Sequence, residues 1–187
     1  MRHLKNYFAE HPVIAGVRNK TELQQAVKSD VIMLFILNAD IFNVEEISRL
    51  ARENDKLILI HLDLMEGLAG DEKAVEYLAE NELCDGVVST KSRLIQAADR
   101  YDLMAVQRLF LLDSAAIKSG KKLIKNNNPD AIEILPGVAA PYFIENVESS
   151  CPVIGGGLIR TREEIEELVE KGLFAVSTSQ QELWQQG

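Results

Sequence analysis

The sequence is poor in the features that mark several protein classes. It has two cysteines in 187 residues, Cys84 and Cys151, far apart and without paired spacing. A disulfide framework and a cysteine zinc cluster are therefore not suggested, and a reduced, cytoplasmic chain is the expectation. Long apolar runs are missing too: the longest, Val31 to Leu37, has seven residues, far short of the roughly 20 that a membrane helix needs. The amino terminus carries Arg2, His3, Lys5, Glu10 and His11 where a signal peptide would be apolar, so no secretory leader and no membrane partner are expected. Positive charge is scarce, with 20 Lys and Arg against 29 Asp and Glu, a net charge of −9. Most of such a surface repels polyanions. Aromatic residues are 6% of the chain, and in the basic stretch from 91 to 125 only Tyr101 and Phe110 occur, neither with the interleaved spacing of single-strand nucleic-acid binders.

Apolar residues, by contrast, make up 47% of the chain, enough for one globular domain with a real core. Eight short runs rich in Val and Ile read as strands, beginning near Pro12, Val31, Leu57, Gly86, Met104, Ile132, Pro152 and Phe174. Helical patterns lie between them, several with start signals: Asn43 with Glu46, Asp71 before Val75 and Leu78, and Asp113 before Ile117. Thr161 with Glu164 forms a capping box ahead of Ile165, Leu168 and Val169, and Gly172 stops that helix. Strand and helix alternate throughout, which predicts parallel strands, because each crossover must return to the same end of the sheet. Eight repeats predict a small (β/α)8 TIM-type barrel, one domain over residues 1–187. Its length requires trimmed loops and helices, and an open doubly wound sheet is the alternative.

Polarity along the predicted strands is one-sided. Their carboxyl ends carry Arg18, Asn38, His61 with Asp63, Ser89 to Lys91, Asp113 with Ser114, Glu133, Gly155 to Gly157, and Ser177 to Ser179. Their amino ends offer Pro12, Asp30, Lys56, Asp85, Asp130 and Pro152, which read as turns. In both candidate folds the carboxyl rim hosts the site.

The last two strands end in Gly155, Gly156 and Gly157 and in Ser177, Thr178 and Ser179. In barrels this pair of loops often makes a phosphate site, glycines admitting the oxygens to backbone N–H groups and hydroxyls supplying further donors. Gln181 to Gln185 reads as a short helix behind it; a plain tight turn with capping hydroxyls is the other reading. At the third strand, alternation would put His61 and Asp63 on one side, suited either to acid and base work, to a metal, or to a polar network closing the barrel mouth. Glu133 needs a partner if buried, with Arg108 and Lys91 as candidates. Lys91 could clamp an anion or form a Schiff base. Trp184 suits either a dimer contact or a cap on the barrel, so self-association stays open.

Seven ordered strings resemble those of the bacterial glycerol uptake operon antiterminators: PVIAGVR (Pro12 to Arg18), HLDLMEGL (His61 to Leu68), DGVVSTK (Asp85 to Lys91), VQRLFLLDS (Val106 to Ser114), EILPGV (Glu133 to Val138), PVIGGGLI (Pro152 to Ile159) and AVSTS (Ala175 to Ser179). The resemblance implies a TIM-type barrel that has no cofactor, binds glycerol 3-phosphate as effector and, when loaded, associates with leader mRNA to prevent premature termination. It places ligand phosphate on Gly155 to Gly157 and Ser177 to Ser179, the residues chosen above. His61, Asp63, Lys91 and Glu133 are then candidate polar contacts to the ligand, with no catalytic residue and no metal. One departure is Gly155, where many relatives have Ala. A loop such as Glu66 to Asp71, ordered by ligand, would couple the site to RNA.

Charge distribution permits that partner. Residues 91 to 125 carry a net +5, whereas residues 1 to 90 and 126 to 187 each carry −7. Lys118, Lys121, Lys122 and Lys125 gather on one predicted helix as candidate RNA contacts, although such clusters are commonly just solvated helix faces. The contrasting expectation is a barrel enzyme acting on a three-carbon or sugar phosphate, since the same cradle would serve it.

Overall fold

A computed structural model describes residues 5–186; Arg2 and His3, among the charges that argue against a leader, lie outside them. After a lead helix α1 (Lys5–Glu10), the chain runs β1 (Val13–Val17), α2 (Lys20–Ala26), β2 (Met33–Ile36), α3 (Val44–Arg52), β3 (Leu57–His61), α4 (Glu72–Glu80), β4 (Gly86–Ser89) and α5 (Ser92–Arg100). It continues β5 (Met104–Phe110), α6 (Ser114–Asn127), β6 (Ala131–Leu135), α7 (Ala140–Asn146), β7 (Val153–Gly156), α8 (Arg162–Glu170) and β8 (Ala175–Thr178). All eight strands pair in parallel and in sequence order, and β8 closes on β1 through Val13 opposite Val176. The fold is a (β/α)8 barrel, not an open sheet.

Strand periodicity sorts the apolar residues into two layers. In β3, Ile58 and Ile60 belong to the cluster under the helices, while Leu59 belongs to the one that fills the barrel. In β2 the order is Leu34 out, Phe35 in, Ile36 out. The interior is packed by Ile14, Met33, Phe35, Leu59, Val88, Val106, Ile154 and Ala175. Phe8 of α1 reaches this cluster too, its ring 5.0 Å from that of Phe174. Among the described residues the barrel interior is therefore filled toward its amino end.

The turns at the amino ends are structural, as their residue types suggest. Asp85 accepts the N–H of Ile58 at the start of β3, and Asp130 accepts that of Ala105 in β5. Helix starts follow the sequence signals at Asp71, whose carboxylate accepts from Lys73 and Ala74, and at Asp113, which accepts from Ala115 and Ala116. Thr161 and Glu164 form both halves of the capping box. Asn43 precedes α3 but does not cap it with its side chain: Asp40 takes the N–H groups of Phe42 and Asn43, and the Asn43 amide bonds back to Asp40. β2 starts at Met33, two residues later than expected, where its pairing with Leu57 of β3 begins; Val31 is buried in the outer cluster ahead of it.

Candidate functional site

A cavity of about 330 Å³ opens at the carboxyl end of the barrel, lined by Gly16, Phe35, Arg108, Glu133, Leu158, Arg160, Ser177 and Ser179 among others. That is the size of a small-metabolite pocket. Its walls come from β1, β2, β5, β6, β8 and the loop after β7, which is where the sequence concentrates glycines and hydroxyls.

Its floor is a chain of charge-assisted hydrogen bonds. In the register of β5 and β6, Arg108 stands opposite Glu133, and its Nε donates to Glu133 Oε2 at 2.6 Å. From β8, the Ser177 hydroxyl donates to Glu133 Oε1 at 2.6 Å. Glu133 is fully buried and depends on these partners, since an uncompensated carboxylate in a barrel interior would be prohibitively unstable. Of the two candidate partners for Glu133, Arg108 is the one the strand register supplies.

The glycines divide by role. A Cβ on Gly156 would lie 2.7 Å from both Glu133 Oε1 and Ser177 Oγ, so this residue leaves room for their bond. Gly157 has a φ of +75° and Leu158 one of +60°, a turn that lifts the chain off the end of β7 and sets both residues on the cavity wall. Gly155 faces Leu173 and Gly137, away from the cavity, where a Cβ would meet Leu173 Cδ2 at 2.6 Å.

The hydroxyls divide likewise. Ser177 commits its proton to Glu133. Thr178 donates to the Ile159 carbonyl at 3.3 Å and accepts from the Gln180 N–H at 3.1 Å, which starts the short 3-10 helix Gln181–Trp184. Ser179 is partly exposed on the cavity wall, its Oγ close to Gly16. Trp184 is buried, its indole N–H donating to the Thr178 carbonyl at 3.0 Å, so it belongs to the barrel and not to an exposed contact surface.

No hydrogen bond joins His61 to Asp63 among the described residues: β3 stops at His61 and the chain enters a 3-10 turn over Leu62–Leu64, where strand alternation no longer holds. His61 is buried, and its Nδ1 has no hydrogen-bond partner among the described residues. Burial and then the charge of Arg108 push its imidazole down to about 4, against the opposing pull of Asp63. Asp63 reaches β4, accepting from the Ser89 hydroxyl and from the N–H and hydroxyl of Thr90. Burial alone would raise its carboxyl, but these bonds outweigh it and hold the group below the usual carboxylate range.

Lys91 pairs with Asp63 at 3.6 Å, is 43% exposed, and is not part of the cavity lining. The segment from Glu66 to Asp71 also stands apart from that lining, and Arg93 donates to the Gly70 carbonyl within it. Among the described residues, no group of three or more His, Cys, Asp and Glu is placed to hold a metal ion, and no helix is long and apolar enough to cross a membrane.

On α6, Lys118, Lys121, Lys122 and Lys125 are all exposed and join none of the ion pairs formed among the described residues. The opposite side of the helix is fitted closely to α7, because Gly120 leaves space for the Phe143 ring. Two cavity residues had no sequence signal of their own: Arg108 sits in an apolar run and becomes visible only through its partner, and Arg160 looks like any surface arginine before a helix.

Comparison with known proteins agrees with this architecture. A structure titled as a glycerol uptake operon antiterminator regulatory protein, from Listeria monocytogenes, is 31% identical, with 95% of this chain and 96% of the other covered at a TM-score of 0.88. A glycerol uptake operon antiterminator-related protein from Thermotoga maritima is 28% identical at a TM-score of 0.84, covering 93% of this chain and 98% of the other. The Escherichia coli protein YgcP, described as uncharacterized, is 30% identical over 97% of this chain and 95% of its own. More distant barrels, an aldolase among them at 11% identity and a TM-score of 0.73, share the fold alone. The profile of one family, described as glycerol-3-phosphate responsive antiterminator, matches residues 13–184. The chain belongs to the glycerol-3-phosphate responsive antiterminator family.

Proposed function

We propose that this protein is a sensor of glycerol 3-phosphate that, when loaded, binds the leader mRNA of glycerol uptake and utilisation genes and prevents premature termination. The observation that carries the reading is the small cavity at the barrel mouth, which carries Arg108, Arg160 and Ser179 on its lining, in a chain whose family is described as glycerol-3-phosphate responsive. The phosphate end of the ligand lies toward β7 and β8, where Gly157 and Ser179 open onto the cavity. The exposed lysines of α6 form the RNA face, confining attraction for a polyanion to one side of an otherwise acidic protein. Lys91 is paired outside the cavity, and His61 and Asp63 are not assembled as an acid and base pair, which favours a binding protein over an enzyme on the same ligand.

Regulation requires that the ligand favour the RNA-competent state, since equal affinity for both states shifts nothing. By reciprocity, RNA then tightens ligand binding. Calorimetric titration with glycerol 3-phosphate, repeated in the presence of leader RNA, tests both halves. Saturable binding that RNA strengthens is expected. An unchanged dissociation constant with RNA present would refute the coupling, and absence of binding would refute the effector.

A further inference from the structure

The cavity has a cation at its base that sequence motifs for phosphate binding do not include. Arg108 has a side chain only 10% exposed, yet it lines the cavity. Of its five N–H donors, the one on Nε is taken by Glu133. Nη1 and Nη2 form no bond among the described residues. Nor are they sealed away: the only buried side-chain nitrogens or oxygens left unpartnered there are His11 Nε2 and His61 Nδ1. The terminal fork of the guanidinium therefore meets the cavity space.

The rest of the floor is arranged around that fork. Glu133 fixes the plane of the guanidinium through Nε and is itself fixed from the far side by Ser177. Gly156 leaves the gap in which those bonds form. A purely structural buried pair has little to recommend it, because well-packed apolar residues of similar volume would stabilise the barrel as well or better. Ser177 and Thr178 have their hydroxyl protons engaged by protein oxygens, and Gly155 faces outward. The loops after β7 and β8 thus offer fewer donors to an anion than their composition suggests.

We propose that Arg108 is the anion anchor of the cavity, taking two oxygens of the phosphate group of a small monoester on Nη1 and Nη2, with Glu133 and Ser177 as its positioning residues. The planar fork matches two phosphate oxygens, whereas a lysine ammonium offers only a point charge. This rests on the reading of the cavity as a phosphate-ester site and adds the group that supplies the charge.

The test is calorimetric titration of the full chain and of Arg108→Met, Arg108→Lys and the double variant Arg108→Met, Glu133→Gln, each verified as folded by circular dichroism. The double variant leaves no unpaired buried charge, so it guards against a single variant that fails to fold. Glycerol 3-phosphate, dihydroxyacetone phosphate, inorganic phosphate and glycerol are the ligands. The wild-type protein should bind the phosphate compounds and not glycerol. Losing one charged hydrogen-bonding group should weaken them by about 10- to 100-fold in Arg108→Met and in the double variant, with Arg108→Lys between. Wild-type affinity for phosphate compounds in the folded double variant would overturn the anchor while leaving the glycerol 3-phosphate reading intact. Binding of inorganic phosphate or dihydroxyacetone phosphate, but not glycerol 3-phosphate, with the same dependence on Arg108 would uphold the anchor and overturn that reading. A wild-type protein that binds none of the phosphate compounds overturns both.

Discussion

Ser177 donates its hydroxyl proton to Glu133 across 2.6 Å, from β8 to β6, with the bare backbone of Gly156 on the strand between them. Gly156→Ala would put a methyl group 2.7 Å from both oxygens, and because backbone fixes that methyl, the bond must break or the strands must shift. The variant should lose about 1–3 kcal/mol of stability in urea denaturation. Gly155→Ala meets chiefly the tip of the Leu173 side chain, which can turn aside, and should cost less.

Burial keeps His61 neutral down to about pH 4, whereas the unfolded chain takes up the proton near 6.5. Between those values the unfolded state binds more protons, so stability is unaffected by His61 above about 6.5 and falls as the pH drops toward 4. The loss should be on the order of 3 kcal/mol across the window. Urea denaturation of the wild-type protein and His61→Gln at pH 7 and pH 5 isolates this contribution, the variant showing the shallower decline. Equal declines would mean that His61 is already charged in the folded protein.

Thr161 and Glu164 satisfy each other's backbone N–H groups, at 3.3 Å and 3.1 Å, at the start of α8. Thr161→Ala should lower stability by about 1 kcal/mol. Urea denaturation of the wild-type protein and the variant reads that loss, and an unchanged midpoint would mean that the cap does not hold the helix start.

Charge reversal on α6, Lys121→Glu with Lys122→Glu, should weaken leader RNA binding and reduce its dependence on salt by about one unit of slope per lysine in contact. Both side chains are exposed, so folding and ligand affinity should survive. Fluorescence anisotropy at several salt concentrations reads the slope, and an unaltered RNA affinity would place the RNA face elsewhere.

Features with local causes are legible in the sequence of this protein. Alternation in Leu57 to His61 and the caps at Asp71, Asp113 and Thr161 depend on side chains and N–H groups a few residues apart, and all of these form as read. Asn43 misleads for an equally local reason, because Asp40 competes for the same N–H groups. Strand alternation does not reach Asp63, because the chain leaves β3 for a 3-10 turn at Leu62, so its bonds to Ser89 and Thr90 are not legible.

By itself, then, the sequence determines eight strands with helices between them, the polar rim at one end of those strands, and the family resemblance carried by seven short strings. Only the tertiary structure decides what the rim residues touch. The pairing of Arg108 with Glu133, 25 residues apart, and of Glu133 with Ser177, 44 apart, follows from the register of β5 on β6, β6 on β7 and β7 on β8. Register is shared by the whole barrel and set by how its interior side chains pack together, so no local stretch of sequence specifies it. The same packing of β6, β7 and β8 turns Ser177 and Thr178 from free donors into engaged ones and leaves the terminal fork of a buried arginine facing the cavity.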